Sequence, residues 1–328
     1  MLNIRSLRNP DLYHGRIGKT FFEGWYFKLV DASRRQVFAF IPGVSFSPDP
    51  RHSHSFIQIV DGKKTLYWYE KYPVESFTAE SRRFSTAIQG NQFSFRELRL
   101  NIQRPSVKIK GEVAFDNLLK WPDTFFNPGS MGFYNYILKM QCYSQVCALD
   151  FDLEGSLVIN GEKMDFSGGR GYIEKNWGSA FPYSWVWIQC NHFQKERASV
   201  TCSLAHIPFL FTSFRGFLIG LYIGKDFYEF TTMNRSNVEL IQKDSDVIMT
   251  IRNARHTLTL ETCTEKEKFI LLNGPKEGKM IPLVQENLQG TVRLELKENH
   301  SSKVVFVDEG TCAGIEYGGE QMMVLDES

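Results

Sequence analysis

Two short segments hold aromatic and charged side chains at a density unusual for surface strands: Phe21-Phe22-Glu23-Gly24-Trp25-Tyr26-Phe27-Lys28 and Gly171-Tyr172-Ile173-Glu174-Lys175-Asn176-Trp177-Gly178. Each sets one glutamate among indole and phenol rings. Such a carboxyl group can serve proton transfer, or it can be one half of a structural ion pair, with Lys28, Arg170 or Lys175 as the nearest cations in sequence. In extended backbone, Glu23, Trp25 and Phe27 share one face while Tyr26 and Lys28 share the other, and Tyr172 lies on the same side as Glu174. Gly24 and Gly178 flank the tryptophans, where close backbone approach or a positive φ is easiest for glycine.

A third segment, Phe181 to Phe193, alternates so that Trp185, Trp187, Gln189, Asn191 and Phe193 line a single face. Two indoles, two amides and a phenyl ring suit a flat or polyene ligand with one polar end. The same pattern also describes an amphipathic core strand whose amides satisfy neighbouring backbone groups. Searches for metal and nucleophile motifs return little. His52 and His54 stand as HxH without a third ligand nearby and read as part of a solvated turn. The Gly168-Gly169-Arg170-Gly171 cluster lacks the helix that a phosphate loop requires.

The elements that must position these residues are almost all strands. Alternating runs bounded by turn residues recur along the chain: Trp25 to Val30, Gln36 to Ile41, Phe56 to Val60, Thr65 to Tyr69, and the series from Phe84 to Phe115. The Asp61-Gly62 and Asn160-Gly161 pairs predict tight hairpin turns. The first half therefore reads as an up-and-down barrel. From Asp116 to Lys139 neither the helical nor the strand period is sustained, which predicts a long, ordered crossing segment. A second barrel or sandwich follows, giving expected domains of 1–165 and 166–328. The most apolar stretch, Ser203 to Gly224, is broken by Pro208, Arg215 and several glycines, so it reads as a strand pair lining a barrel and not as a membrane span. A peripheral lip touching a bilayer stays open as an alternative for Ile207 to Leu221.

Composition narrows the classes of partner. Across 328 residues, 38 Lys plus Arg oppose 37 Asp plus Glu, so no long-range field recruits nucleic acid. Aromatic residues form 14% of the chain, which favours strands. Six scattered cysteines without CxxC pairs read as buried thiols, and the polar start from Met1 to Pro10 predicts a cytoplasmic location.

The FFEGWYF segment, Glu174 to Gly178, Phe181-Pro182, the WxWxQxN series and the closing Glu316-Tyr317-Gly318-Gly319 together resemble the tocopherol cyclase family. The resemblance implies an all-β fold of two lipocalin-like antiparallel barrels in tandem, distantly similar to that of carotenoid hydratases. It implies no redox cofactor, no metal, and a hydrophobic small-molecule partner such as an isoprenoid or quinol. Ring closure in that family starts by protonating a prenyl double bond, after which the phenol oxygen captures the tertiary cation. Such chemistry calls for a carboxylic acid kept protonated by apolar burial and for aromatic faces beside the cation. Glu174 is then the expected donor, with Glu23 in reserve. Trp177, Trp185 and Trp187 would surround the cation, Gln189 or Asn191 would orient the phenol, and Trp25, Tyr26, Tyr172 and Asn176 would complete the binding set. The chain departs from the family at Gln141, Ser144 and Phe151, where relatives have a MECYHG-type strand and a further histidine. A carrier of a quinone or carotenoid-like lipid is the alternative to an enzyme.

Overall fold

The computed structural model describes residues 2–137, 140–209 and 212–319. One short helix, α1 (Arg5–Arg8), precedes twelve strands: β1 (Phe21–Val30), β2 (Val37–Phe46), β3 (His54–Asp61), β4 (Leu66–Tyr72), β5 (Phe77–Ala79), β6 (Ser85–Ile88), β7 (Asn91–Ser94), β8 (Glu97–Gln103), β9 (Lys108–Leu119), β10 (Cys142–Ile159), β11 (Glu162–Asp165) and β12 (Arg170–Gly178). Ten more follow: β13 (Ser184–Cys190), β14 (Ala198–Phe209), β15 (Thr212–Ile223), β16 (Asp226–Thr231), β17 (Asn237–Lys243), β18 (Asp246–Arg252), β19 (His256–Cys263), β20 (Ile270–Lys276), β21 (Lys279–Glu298) and β22 (Val304–Gly319). Among the described residues no helix is long and apolar enough to cross a membrane. Within the apolar stretch, residues 203–209 and 212–223 belong to the antiparallel pair of β14 and β15.

The strands form two antiparallel sheets that share one topology. The first runs β4-β3-β2-β1-β12-β10-β9-β8-β7-β6-β5, and the second β16-β15-β14-β13-β22-β21-β19-β18-β17. In each, a four-strand meander runs outward, the chain passes to the opposite edge, and the remaining strands return to close beside the first. That connection dictates the curvature. Residues 73–76 alone join β4 to β5, a span of roughly 17 Å at full extension, whereas a flat sheet of eleven neighbours would hold its edges roughly 48 Å apart. The sheet has to curl, and β3 accordingly approaches β6. Residues 232–236 impose the same closure between β16 and β17. Both sheets are thus lipocalin-like, as the sequence implies.

The chain separates into two compact units, 1–181 with 273–282, and 182–272 with 283–319 of the described residues. The expected boundary at residue 165 falls short of β12, which pairs on one side with β1 and on the other with β10 and so belongs inside the first sheet. Each unit has its own core. Trp25, Phe27, Phe38, Phe40, Phe93, Phe151 and Ile173 are among the residues of the first, and Val186, Ile188, Leu204, Ile219, Leu260 and Ile315 among those of the second. The inner faces of the sheets are therefore occupied by the protein's own side chains.

Turn chemistry follows the sequence in part. Asn160 and Gly161 both adopt positive φ, at 51° and 88°. The Asp61-Gly62 hairpin instead takes its positive φ at Thr65, because the loop is longer than two residues. All six cysteines are free, and five are buried; Cys263, at the end of β19, is exposed. Gly178 has φ +149° and a Cβ there would stand 2.1 Å from the Gln141 carbonyl oxygen, whereas at Gly24 the nearest atom would be at an ordinary 3.5 Å. Gly178→Ala should therefore cost about 2 kcal/mol or more, read as a lower urea midpoint with an unchanged m-value. Gly24→Ala should have the smaller effect.

Candidate functional site

β1 and β12 lie side by side at the middle of the first sheet, and their register decides which chemistry goes where. Glu23 faces Trp177, Trp25 faces Lys175 and Phe27 faces Ile173, so these six share the inner face. Tyr26 opposite Glu174 and Lys28 opposite Tyr172 share the outer face. The two glutamates singled out by the sequence thus stand on opposite sides of one sheet.

On the inner face, Glu23 and Lys175 form an ion pair at 2.6 Å, each with 0% side-chain exposure. The ammonium group also donates to the carbonyl oxygens of Pro10 (2.8 Å) and Leu12 (2.5 Å), contacts His14 Nδ1 at 3.0 Å, and lies over the rings of Trp177 (4.8 Å) and Trp25 (5.3 Å). Both Glu23 oxygens accept the His14 backbone N–H at 3.1 Å. The His14 ring stacks on Trp177 at 4.0 Å, and Trp177 stacks on Tyr143 at 5.2 Å. Burial opposes charge on Glu23, but Lys175 and His14 outweigh it and hold the carboxyl below its ordinary range. His14 is pushed down to about 4 by burial first and by the Lys175 charge second. The three ammonium hydrogens are taken by Glu23, Pro10 and Leu12, so a neutral His14 ring protonated at Nδ1, 3.1 Å from Glu23 Oε1, is placed to donate to that carboxylate. Of the cations proposed for Glu23, Lys175 is the one that pairs with it.

On the outer face, Glu174 is buried, with 4% of its surface exposed. Tyr172 Oη donates to Oε2 at 2.6 Å and Ser144 Oγ to Oε1 at 2.9 Å, with Asn176 Nδ2 3.5 Å away. The Ser144 hydroxyl reaches the glutamate from the neighbouring strand β10. Cys142, also on β10, has its thiol pushed up by burial and by the nearby Glu174 charge. Glu174, Tyr172, Asn176 and Tyr26 are therefore brought together. Glu23, Trp25 and Trp177 are packed on the other side of the same strands.

In the second unit, Val186, Ile188 and Cys190 of β13 enter the core, which turns Trp185, Trp187 and Gln189 to the opposite face. The two indoles lie across β22: a Cβ on Gly318 would be 2.0 Å from the Trp185 ring, and one on Gly314 would be 2.8 Å from that of Trp187. Trp185 Nε1 donates to Glu316. Glu316 is in register with Trp187 on one side and with the wholly buried Glu286 on the other. Sequence reasoning missed Glu286 and Glu316 as members of this face; only the strand pairing aligns them with the indoles. The alternation ends at Cys190. Asn191 is buried beside His192, whose Nδ1 lies 2.8 Å from Asn191 Oδ1. Phe193 bridges to Gly310 and joins the core, not the indole face, because the chain leaves the regular strand before it.

The inner cluster sets the acid stability of the first unit. Unfolded, His14 takes its proton near pH 6.5; folded, it does so near 4. Between those values the unfolded chain binds more protons, so stability falls as pH drops through that window, by about 3 kcal/mol in all. Glu23, with its folded value depressed, adds a further loss at still lower pH. Urea titrations across this range should show the first slope, and His14→Gln should flatten it. Separately, Lys175→Met alone should cost about 3–5 kcal/mol, and the pair Glu23→Gln with Lys175→Met less, because neither charge is then left buried without its counterpart.

Comparison with known proteins accords with these features. The chain is 24% identical over 376 residues to a probable chloroplastic tocopherol cyclase of Oryza sativa subsp. japonica, covering 96% of this chain and 79% of the relative. It is 26% identical over 373 residues to the chloroplastic tocopherol cyclase of Zea mays, covering 96% and 78%. The crystal structure of CghA with Sch210972 superposes with a TM-score of 0.62 at 10% identity, over 95% of this chain and 92% of that one. The crystal structure of kievitone hydratase from Nectria haematococca does so with a TM-score of 0.51 at 12% identity, over 99% and 94%. These two show a shared fold. With its family model matching residues 100–319, a span that takes in β12, β13 and β22, the chain belongs to the tocopherol cyclase-like family.

Proposed function

We infer that the protein is an acid-type cyclase or hydratase of a prenyl double bond in an isoprenoid quinol or similar lipid, with Glu174 as the proton donor. Family membership and the activity for which the plant relatives are named support the reaction class. The observation that carries the assignment of Glu174 is its placement: a buried carboxyl group on the face turned away from the packed core, held by the hydroxyls of Tyr172 and Ser144. Glu23 is locked by Lys175 and His14 and serves the scaffold.

In this reading the Glu174 O–H bond breaks and a C–H bond forms at the less substituted alkene carbon, leaving a tertiary cation. For cyclisation, the phenol oxygen of the substrate closes a C–O bond to that cation and its proton returns to Glu174. For hydration, water takes the place of the phenol. Both balance without an external oxidant or reductant. Tyr172 and Ser144 fix the direction of the carboxyl group; as donors they favour its ionised form, so in the acid form one of these hydroxyls turns to accept from the Glu174 O–H.

The test is to extract the ligand from purified protein, identify it by mass spectrometry, and incubate it, alongside a prenyl-quinol, with fresh enzyme. Wild type should convert substrate, and Glu174→Gln should lose turnover by about a hundredfold or more with an unchanged melting temperature. Tyr172→Phe should lower kcat more than it raises KM. Unchanged turnover in Glu174→Gln removes this residue from the mechanism. Retention of the ligand without conversion makes the protein a carrier.

A further inference from the structure

The crossing segment between β9 and β10 presents the most exposed phenyl rings of the first unit. Phe125 and Phe126 are 68% and 78% exposed, and Phe133 and Tyr136 are 45% and 41% exposed. None of these lies in the elements that hold Glu174. Soluble surfaces rarely keep adjoining large aromatics so open without a partner.

The rings are presented by a well-built turn. Thr124 N–H donates to the Asn127 carbonyl at 3.0 Å and Asn127 N–H to Thr124 Oγ1 at 3.2 Å. Tyr136 Oη donates to the Phe125 carbonyl at 2.8 Å, and Asn135 Nδ2 to the Pro128 carbonyl at 2.6 Å. The last two bonds tie the loop to the 3-10 turn Gly132–Tyr136, against which α1 packs. Phe125 and Phe126 meet edge to face at 5.3 Å and are both largely exposed, so they form one compact aromatic tip.

Charge near the wedge in sequence is net positive. From Thr124 to Leu149 the sequence has no Asp or Glu and a single charged residue, Lys139; from Met1 to Pro10 it has Arg5 and Arg8 and no acid. Asp123 is neutralised by Arg8 at 2.6 Å, and the Arg8 guanidinium lies 6.0 Å from the Phe125 ring centroid. Arg5 is exposed. Apolar rings at a tip, a phenol at the base and an exposed arginine behind them are the arrangement that enters the acyl boundary while its cation meets anionic headgroups.

We propose that Phe125 and Phe126, with the exposed Arg5 of α1 as the cation behind them, form a docking wedge for a bilayer containing anionic lipid. An exposed pair of rings suits a deformable solvent better than a second folded surface, which would need a matching concavity. The site is distinct from Ile207 to Leu221, where the sequence left room for a membrane lip; Leu210 and Phe211 lie outside the described residues. The wedge is built from the loop's own geometry and does not depend on Glu174.

Co-sedimentation with vesicles of phosphatidylcholine mixed with phosphatidylglycerol tests it. Wild type should bind these more tightly than pure phosphatidylcholine vesicles, and less so as salt is raised. Phe125→Ser with Phe126→Ser should weaken binding roughly tenfold or more at an unchanged melting temperature. A second measurement does not need that variant to fold: Phe126→Trp should show a blue-shifted emission component with the mixed vesicles. Absence of vesicle binding, equal binding by the double variant, or an emission of the Phe126→Trp protein that the vesicles leave unmoved would each overturn the proposal. So would a self-association of wild type that the double variant abolishes in the absence of any vesicle binding.

Discussion

The Lys175 ammonium group is removed from water and resolvated by protein: one carboxylate, two backbone carbonyls and two indole faces, with the His14 ring beside it. A buried cation is tolerated only when its hydrogens are all directed at acceptors, so each of these groups is held to its place by the others. Pro10 to His14 are bound through this one charge to the middle of the sheet, although they lie far from β12 in sequence. Around them, Asp11 accepts from Gln145, and Gln145 in turn accepts from the Ser130 N–H. The crossing segment and the N-terminal segment are thereby fastened to the same inner face.

Fixing β12 against β1 has a consequence on the other side of the sheet. Successive strand residues point in opposite directions, so anchoring Lys175 inward turns Glu174 outward. The two glutamates differ in environment for that reason. Glu23 is held ionised by a cation in contact with it, and Glu174 meets hydroxyl groups on a face without the packed core. One pair of strands thus places two chemically identical groups in different surroundings.

The second unit repeats the strand order with different contents. Its central strand β13 carries no charged residue, and its inward residues are Val186, Ile188 and Cys190. The opposite face is shaped by absence of side chains on β22, where Gly314 and Gly318 leave the space that the indoles of Trp187 and Trp185 fill. Large rings laid flat on a strand need such gaps, since a single added methyl would overlap them.

Strand periodicity alone determined the all-β architecture, most hairpins, and the partition of Glu23, Trp25 and Phe27 from Tyr26 and Lys28, because side-chain direction in a strand follows from sequence spacing of two. It also identified the segments that carry the site. Tertiary structure decided the rest. The choice of Lys175 over Lys28 and Arg170 as the partner of Glu23 depends on which strand lies beside β1, and that pairing joins residues about 150 positions apart, beyond any local pattern. The same holds for the capture of His14, the reach of Ser144 to Glu174, the row of Trp187, Glu316 and Glu286, and the place of β12 in the first sheet. Each rests on register between distant strands, and register is set by closure of the whole sheet.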